Sequence, residues 1–458
     1  MAEELPGLST ALDGAAMAER IQGALLAHSP RAPVEHCRPR DAVYVPGTGC
    51  RLRYEVGVAG DEAPTRLVNA YLFPSPAGGR RYARERLAPL AERVRDRSEQ
   101  RPFATPVALV EELNMCLAAF PIDGELPTLV DATDPERAGE VVRRALPADG
   151  RPLPRTRVRV VLGRYRRRRC TLRYEVDGEG SSGGRTLFGK VEAGGRGART
   201  AAAITALRAR LGDREAAPFR VHEAFGFDRE LDLLLLDAAP GTPQLSRALK
   251  VAAHGARRER SAIRDGVRAC AQVAAALHAL GVPIGPARPD VAELANLRAL
   301  LAPVRRITPQ LGGWLTVALA EADARMTRTH AQPMCTCHGD FKHSQVLFDG
   351  EQRWLLDFDT VCQAESALDL GQFLACLRLT AATARSELGD ELCNHFLDSY
   401  IATVGAAELE ERRMRARGAA YELVSLLRLA IHSWQKFKPN RLATLIALID
   451  ERLSCPAA

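Results

Sequence analysis

The second half of the chain carries apolar residues at helical spacing. Within residues 265–280, Val267, Cys270, Val273, Ala274 and Leu277 fall on one stripe, and Gly281 ahead of Pro283 closes the run; this predicts an amphipathic helix. Helices are likewise predicted over 198–211, 368–379, 387–404, 408–435 and 441–453. Shorter apolar runs predict strands at 187–191 and 231–236, and a hairpin in which Val346-Leu347-Phe348 and Trp354-Leu355-Leu356 flank the turn-forming Asp349-Gly350. In an antiparallel hairpin the residue opening the first strand lies beside the one closing the second. Gln345 and Asp357 should therefore meet.

The chain repeats its own beginning. Cys50-Arg51-Leu52-Arg53-Tyr54-Glu55-Val56 recurs as Cys170-Thr171-Leu172-Arg173-Tyr174-Glu175-Val176, six of seven identical at an offset of 120. At that offset Leu67 falls on Leu187 and Ala70 on Lys190; after a four-residue adjustment Ala77-Gly78-Gly79-Arg80 matches Ala193-Gly194-Gly195-Arg196, and Pro102-Phe103 matches Pro218-Phe219. Each copy reads as hairpin, strand, helix and further strands, so a small domain is duplicated. The fold class is α+β.

Length and composition narrow the picture. At 458 residues and 46% hydrophobic, the chain predicts two or three globular domains. No apolar run is long enough for a membrane span, and acidic Glu3 and Glu4 replace a basic leader start, which predicts a cytoplasmic protein without a membrane partner. The eleven cysteines lack paired metal-site spacing, although Cys335 and Cys337 stand two apart; buried reduced thiols and no zinc site are expected. Net charge is +7. The run Arg166 to Arg169 has Tyr165 as its one adjacent aromatic, too little for a nucleic-acid surface, and no nucleic-acid partner is expected. Lysine occurs only at 190, 250, 342, 436 and 438, so each lysine is a candidate for a specific role.

The chemistry concentrates in His338-Gly339-Asp340, then Phe341-Lys342-His343-Ser344-Gln345, then Leu355-Leu356-Asp357-Phe358-Asp359. This stretch resembles the catalytic loop and metal-binding strand end of the aminoglycoside phosphotransferase and choline kinase family, with a glutamine at 345 as in its maltokinase branch. The resemblance implies a protein-kinase-like fold with two lobes, a small β-rich one and a helical one, here preceded by a degenerate duplicate of the small lobe. It implies three segments: residues 1–150 as the degenerate repeat, 151–245 as the nucleotide-binding lobe, and 246–458 as the helical lobe carrying the catalytic loop and acceptor site.

The implied activity is ATP-dependent transfer of a phosphoryl group to a hydroxyl of a small molecule such as an amino sugar, sugar or amino alcohol. Asp340 would accept the proton of the attacking hydroxyl and Lys342 would stabilise the transferred group. Gln345 and Asp357 would bind Mg2+. Lys190 would pair with the ATP phosphates, Arg166 and Arg167 would reach the same anions, and Leu236 with Asp237 would border the adenine. Asp369 and His278 resemble the family's structural braces. Two departures stand out: glutamine rather than asparagine at 345, and no glutamate in 198–211 to pair with Lys190. They leave a second expectation, a catalytically weak kinase-like regulatory protein that binds nucleotide.

Overall fold

The computed structural model describes residues 3–26, 33–61, 63, 65–146, 157–177, 184–212, 217–251 and 257–454. It forms two compact units, one of Met1–Gly197, Phe225–Leu236 and Gln435–Phe437, the other of Ala198–Ala224, Asp237–Trp434 and Lys438–Ala458. The boundary expected at 150 lies outside the described residues.

The first unit contains two five-stranded sheets. β1 (Val34–Val45), β2 (Gly49–Val58), β3 (Arg66–Leu72), β4 (Val107–Val110) and β5 (Met115–Ala119) lie in the order β1-β2-β3-β5-β4. Next come β6 (Arg157–Arg166), β7 (Arg169–Asp177), β8 (Arg185–Glu192), β9 (Arg220–Val221), β10 (Ala224–Asp228) and β11 (Leu233–Asp237). With β9 paired elsewhere, the second sheet has the order β10-β11-β8-β7-β6. Counted from its first strand, each sheet reads first-second-third-fifth-fourth. The two sheets thus share one strand order.

The likeness extends to segments the sequence reading passed over. A helix pair precedes each sheet, Leu8–Leu12 with Gly14–Leu25 and Leu129–Ala132 with Pro135–Ala145. The second helix of each pair starts at an aspartate cap: Asp13 accepts from the Ala15 and Ala16 amides, and Asp134 from Glu136 and Arg137. Such a cap satisfies helix-end amides that would otherwise lack partners. The buried Tyr54 hydroxyl donates to the Ala11 carbonyl at 2.6 Å, and that of Tyr174 to Ala132 at 2.9 Å. Leu129, Val141 and Val142 bury their side chains against Leu172, Tyr174, Leu187 and Leu233.

Strand pairing corrects one position. Arg51 pairs with Tyr71, and its counterpart Thr171 pairs with Lys190. Tyr71, rather than Ala70, therefore stands where Lys190 stands, because β8 is displaced by one residue relative to the 120 offset. The Ala-Gly-Gly-Arg match is also sequence-deep only: Gly78 and Gly79 are helical, whereas Gly194 and Gly195 occupy a left-handed turn at φ 85° and 67°.

The second copy's first hairpin packs into the first copy. The Tyr165 hydroxyl donates to Asp123 at 2.5 Å, and Tyr71 donates to the other oxygen of the same carboxylate at 3.1 Å. Arg53 lies over the Tyr165 ring at 3.4 Å and donates to the Tyr165 carbonyl at 2.9 Å. Glu125 receives Arg51 at 2.8 Å and Arg167 at 3.3 Å. Burial first, then the Asp123 charge, pushes both tyrosine hydroxyls well above their ordinary range, so both remain donors. Where the second copy carries Lys190, the first carries a tyrosine already committed to Asp123.

The second unit is mainly helical. Besides β9, its strands are β12 (Met334–Cys337), β13 (Val346–Asp349), β14 (Gln352–Leu355) and β15 (Cys362–Glu365). β12 pairs with β15, and β13 with β14, which also pairs in parallel with β9. Helices at Arg257–His278, Ser366–Thr383, Gly389–Val404, Glu408–Gln435 and Pro439–Ser454 match the expected segments to within four residues at each end, except that the first begins eight residues earlier, at Arg257. Three further helices, Gln244–Val251, Asp290–Ile307 and Pro309–Arg328, were not among the expected segments. No helix among the described residues is long and apolar enough to cross a membrane.

Glu422 is a buried partner of Arg378 rather than a solvent-facing charge, and Trp434 is buried with its indole N–H donating to Thr308 at 3.0 Å.

Candidate active site

The loop 338–345 is fixed at its start by a buried carboxylate. Asp369, on the first turn of the helix Ser366–Thr383, accepts the His338 amide at 2.6 Å and the Gly339 amide at 2.8 Å. His278 places Nε2 at 3.2 Å from the same carboxylate and Nδ1 at 2.9 Å from the Tyr400 hydroxyl. Although burial works against the charge, the His278 bond holds Asp369 below the usual carboxylate range, and His278 is raised in return. The His338 ring bonds the Leu356 carbonyl at 2.8 Å, tying the loop to the hairpin. Arg288 caps the Gly339 carbonyl at 3.2 Å.

Gly339 has φ +75°, and a Cβ there would lie 2.2 Å from the Thr360 carbonyl oxygen. Only glycine fits this turn. Replacing Asp369 with alanine should leave two buried amides without an acceptor, at about 1–3 kcal/mol each. A fall in the denaturant midpoint with little change in slope is the expected measurement; an unchanged midpoint would remove Asp369 from the clamp.

From this anchored start the loop delivers Asp340, half-exposed, into a group of donors. Lys342 forms an ion pair with Asp340 Oδ2. Gln345 Nε2 donates to that oxygen at 3.1 Å, and Gln372 Nε2 donates to Oδ1 at 2.7 Å. Gln345 also reaches Asp357 Oδ2 at 3.4 Å, the convergence expected from the hairpin. Across the hairpin the Gln345 carbonyl accepts the Leu356 amide at 3.0 Å rather than that of Asp357. Asp357 follows the paired residues in a left-handed conformation, φ 71° and ψ 56°, uncommon for a residue with a side chain and often found at functional sites.

Gln345 is 5% exposed, and among the described residues its Oε1 has no hydrogen-bond partner. The amide nitrogen faces two carboxylates while the oxygen is buried alone. A bound cation would invert that preference, since rotating the amide turns the oxygen toward the carboxylates. This donor set, an amide oxygen with carboxylates, suits a hard divalent ion.

Gln372 was not anticipated. It lies three residues after Asp369, hence on nearly the same helix face, and that spacing was the available signal.

The remaining candidates belong to β6, the turn after it, β8 and β11. Lys190 sits on β8 opposite Thr171. Arg166 ends β6, and Arg167 ion-pairs with Glu125. Leu236 is buried on β11, and the Asp237 carboxylate accepts the Ala238 amide at 3.0 Å.

Comparison with known proteins then fixes the relationship. The model of the phosphotransferase enzyme family matches residues 171–418, more than half of the 458. The chain belongs to that family. This phosphotransferase resembles a choline/ethanolamine kinase family protein from Mesorhizobium loti at 16% identity, covering 72% of this chain and 94% of that one, TM-score 0.42. A macrolide 2'-phosphotransferase from Brachybacterium faecium is similar at 14% identity, with 71% and 99% covered and TM-score 0.40. An aminoglycoside phosphotransferase crystallised with AMP-PNP and hygromycin B gives 11% identity, 66% and 95% covered, TM-score 0.43. No curated protein sequence matches the chain. Membership rests on the family match.

Proposed function

We propose that this phosphotransferase transfers the γ-phosphoryl group of ATP to a hydroxyl of a small molecule such as an amino sugar, sugar or amino alcohol. The observation that carries the reading is the convergence of Asp340, Gln345 and Asp357 on a loop anchored by Asp369. Asp340 is the base that accepts the acceptor's proton. Lys342, already beside it, spreads positive charge toward the transferred group. Gln345 and Asp357 hold Mg2+, which supplies charge neutralisation at the phosphates. Lys190 is assigned to the ATP phosphates from its place in the resemblance, with Arg166, Arg167, Leu236 and Asp237 as further nucleotide contacts.

One observation favours the second reading, a weak enzyme that binds nucleotide and regulates. Asp340 is held by three donors, Lys342, Gln345 and Gln372, which an incoming hydroxyl would have to displace. Product formation over a panel of hydroxylated metabolites separates the two. Turnover above the ATPase background supports the enzyme; Mg2+-dependent nucleotide binding with no phosphorylated product supports the regulator.

The same assignment predicts one nucleotide per chain. Lys190→Ala should raise the dissociation constant for Mg-ATP about tenfold, equal to about 1.4 kcal/mol. Tyr71→Lys should add no second site, because Asp123 and the Tyr165 hairpin already occupy its surroundings. Titration calorimetry returning two nucleotides per chain would overturn this.

A further inference from the structure

One cluster in the second unit takes no part in the proposed phosphoryl transfer. On β12, Cys335 and Cys337 stand two residues apart, so their side chains leave the same face of the strand. Their sulfurs are 3.7 Å apart. A ligand nitrogen of His278 completes a set whose donor atoms all lie within 4.8 Å of one another. Two thiolates bound to one tetrahedral zinc at about 2.3 Å each would be separated by about 3.8 Å. The sulfurs already have the spacing of one edge of such a site.

We propose that Cys335, Cys337 and His278 form a binding site for a thiophilic divalent cation such as Zn2+ or Cd2+, with the fourth position open. Two sulfurs and an imidazole select soft cations, whereas the oxygen donors around Asp357 select Mg2+. The two sites therefore do not compete for the same ion. Entry is available because Cys335 is partly exposed, while Cys337 is buried. Binding exchanges the protons of both thiols for the ion.

The imidazole must give up one of its two partners, the Tyr400 hydroxyl or the Asp369 carboxylate. Keeping Asp369 produces a carboxylate–histidine–metal chain, the usual second-layer support of a bound ion. That carboxylate also holds the His338 and Gly339 amides, so the ion would sit one side chain away from the anchor of the catalytic loop.

The test titrates the reduced, full-length chain with Cd2+ in excess Mg2+ and follows thiolate-to-cadmium charge-transfer absorbance. The expected result is saturation at one equivalent in the wild type and in Cys455→Ser, reversal by Zn2+, and loss of the band in Cys335→Ser. His278→Gln should weaken binding at least tenfold. Zn2+ should raise the melting temperature of the wild type and not that of Cys335→Ser. An undiminished band in Cys335→Ser, no saturation at one equivalent in the wild type, or equal affinity in His278→Gln would overturn the site. None of these readouts depends on the phosphotransferase assay.

Discussion

Asp340→Asn is expected to reduce kcat by about a hundred- to ten-thousandfold, the range for removing a general base, while the dissociation constant of Mg-ATP changes less than threefold. The side chain keeps its size, and the carbonyl oxygen can still accept from Gln345 or Gln372, so the loop should keep its shape. What is lost is the capacity to take a proton from the acceptor. The pair with Lys342 is lost as well, but that ion pair is about a third exposed on the carboxylate side and contributes little to stability. Steady-state kinetics on a phosphorylated acceptor, paired with calorimetric ATP titration, separates the two effects. Parallel loss of turnover and ATP binding would show that Asp340 serves the nucleotide instead.

Asp357→Ala should give the opposite pattern: at least a tenfold weaker Mg-ATP complex, with most turnover gone even at saturating acceptor. A carboxylate contributes a full charge to a divalent ion, and its left-handed backbone aims it at the buried Gln345 side chain. Gln345→Leu removes the unpartnered Oε1 and should reproduce much of the loss, whereas Gln345→Asn should retain partial activity because an amide oxygen remains. Measuring turnover against Mg2+ concentration for the three variants checks this. A leucine variant with wild-type Mg2+ dependence would make Gln345 a structural residue.

The local chemistry was legible because its signals are short-range. The loop, hairpin and following helix lie within residues 338–383, and turn residues plus alternating apolar runs are enough to bring Gln345 to Asp357. The helices at 389–435 announced themselves by period alone. What escaped depends on distant partners. Identity in β2 and β7 fixed the repeat, but a one-residue displacement in the next strand put Tyr71, not Ala70, opposite the position of Lys190, and identity cannot register a slip between strands. Nor can a run of arginines reveal that Tyr165 and Arg167 lie against Asp123 and Glu125, residues about forty positions earlier. Asp13 and Asp134 each head a helix at the same place in the two copies, yet the flanking sequences are too different to align by eye. Gln372 was signalled only by its spacing of three residues from Asp369 on one helix face, since a glutamine by itself carries no composition signal.

The most direct test of the central claim follows label from γ-phosphate-labelled ATP into acceptor with the wild type and Asp340→Asn side by side, in Mg2+, across a panel of amino sugars, sugars and amino alcohols. The account predicts that at least one hydroxylated compound acquires label with the wild type, that the label vanishes when its hydroxyl is blocked, and that Asp340→Asn leaves only background. Label reaching no acceptor while Mg-ATP still binds, or equal transfer by both proteins, would contradict it.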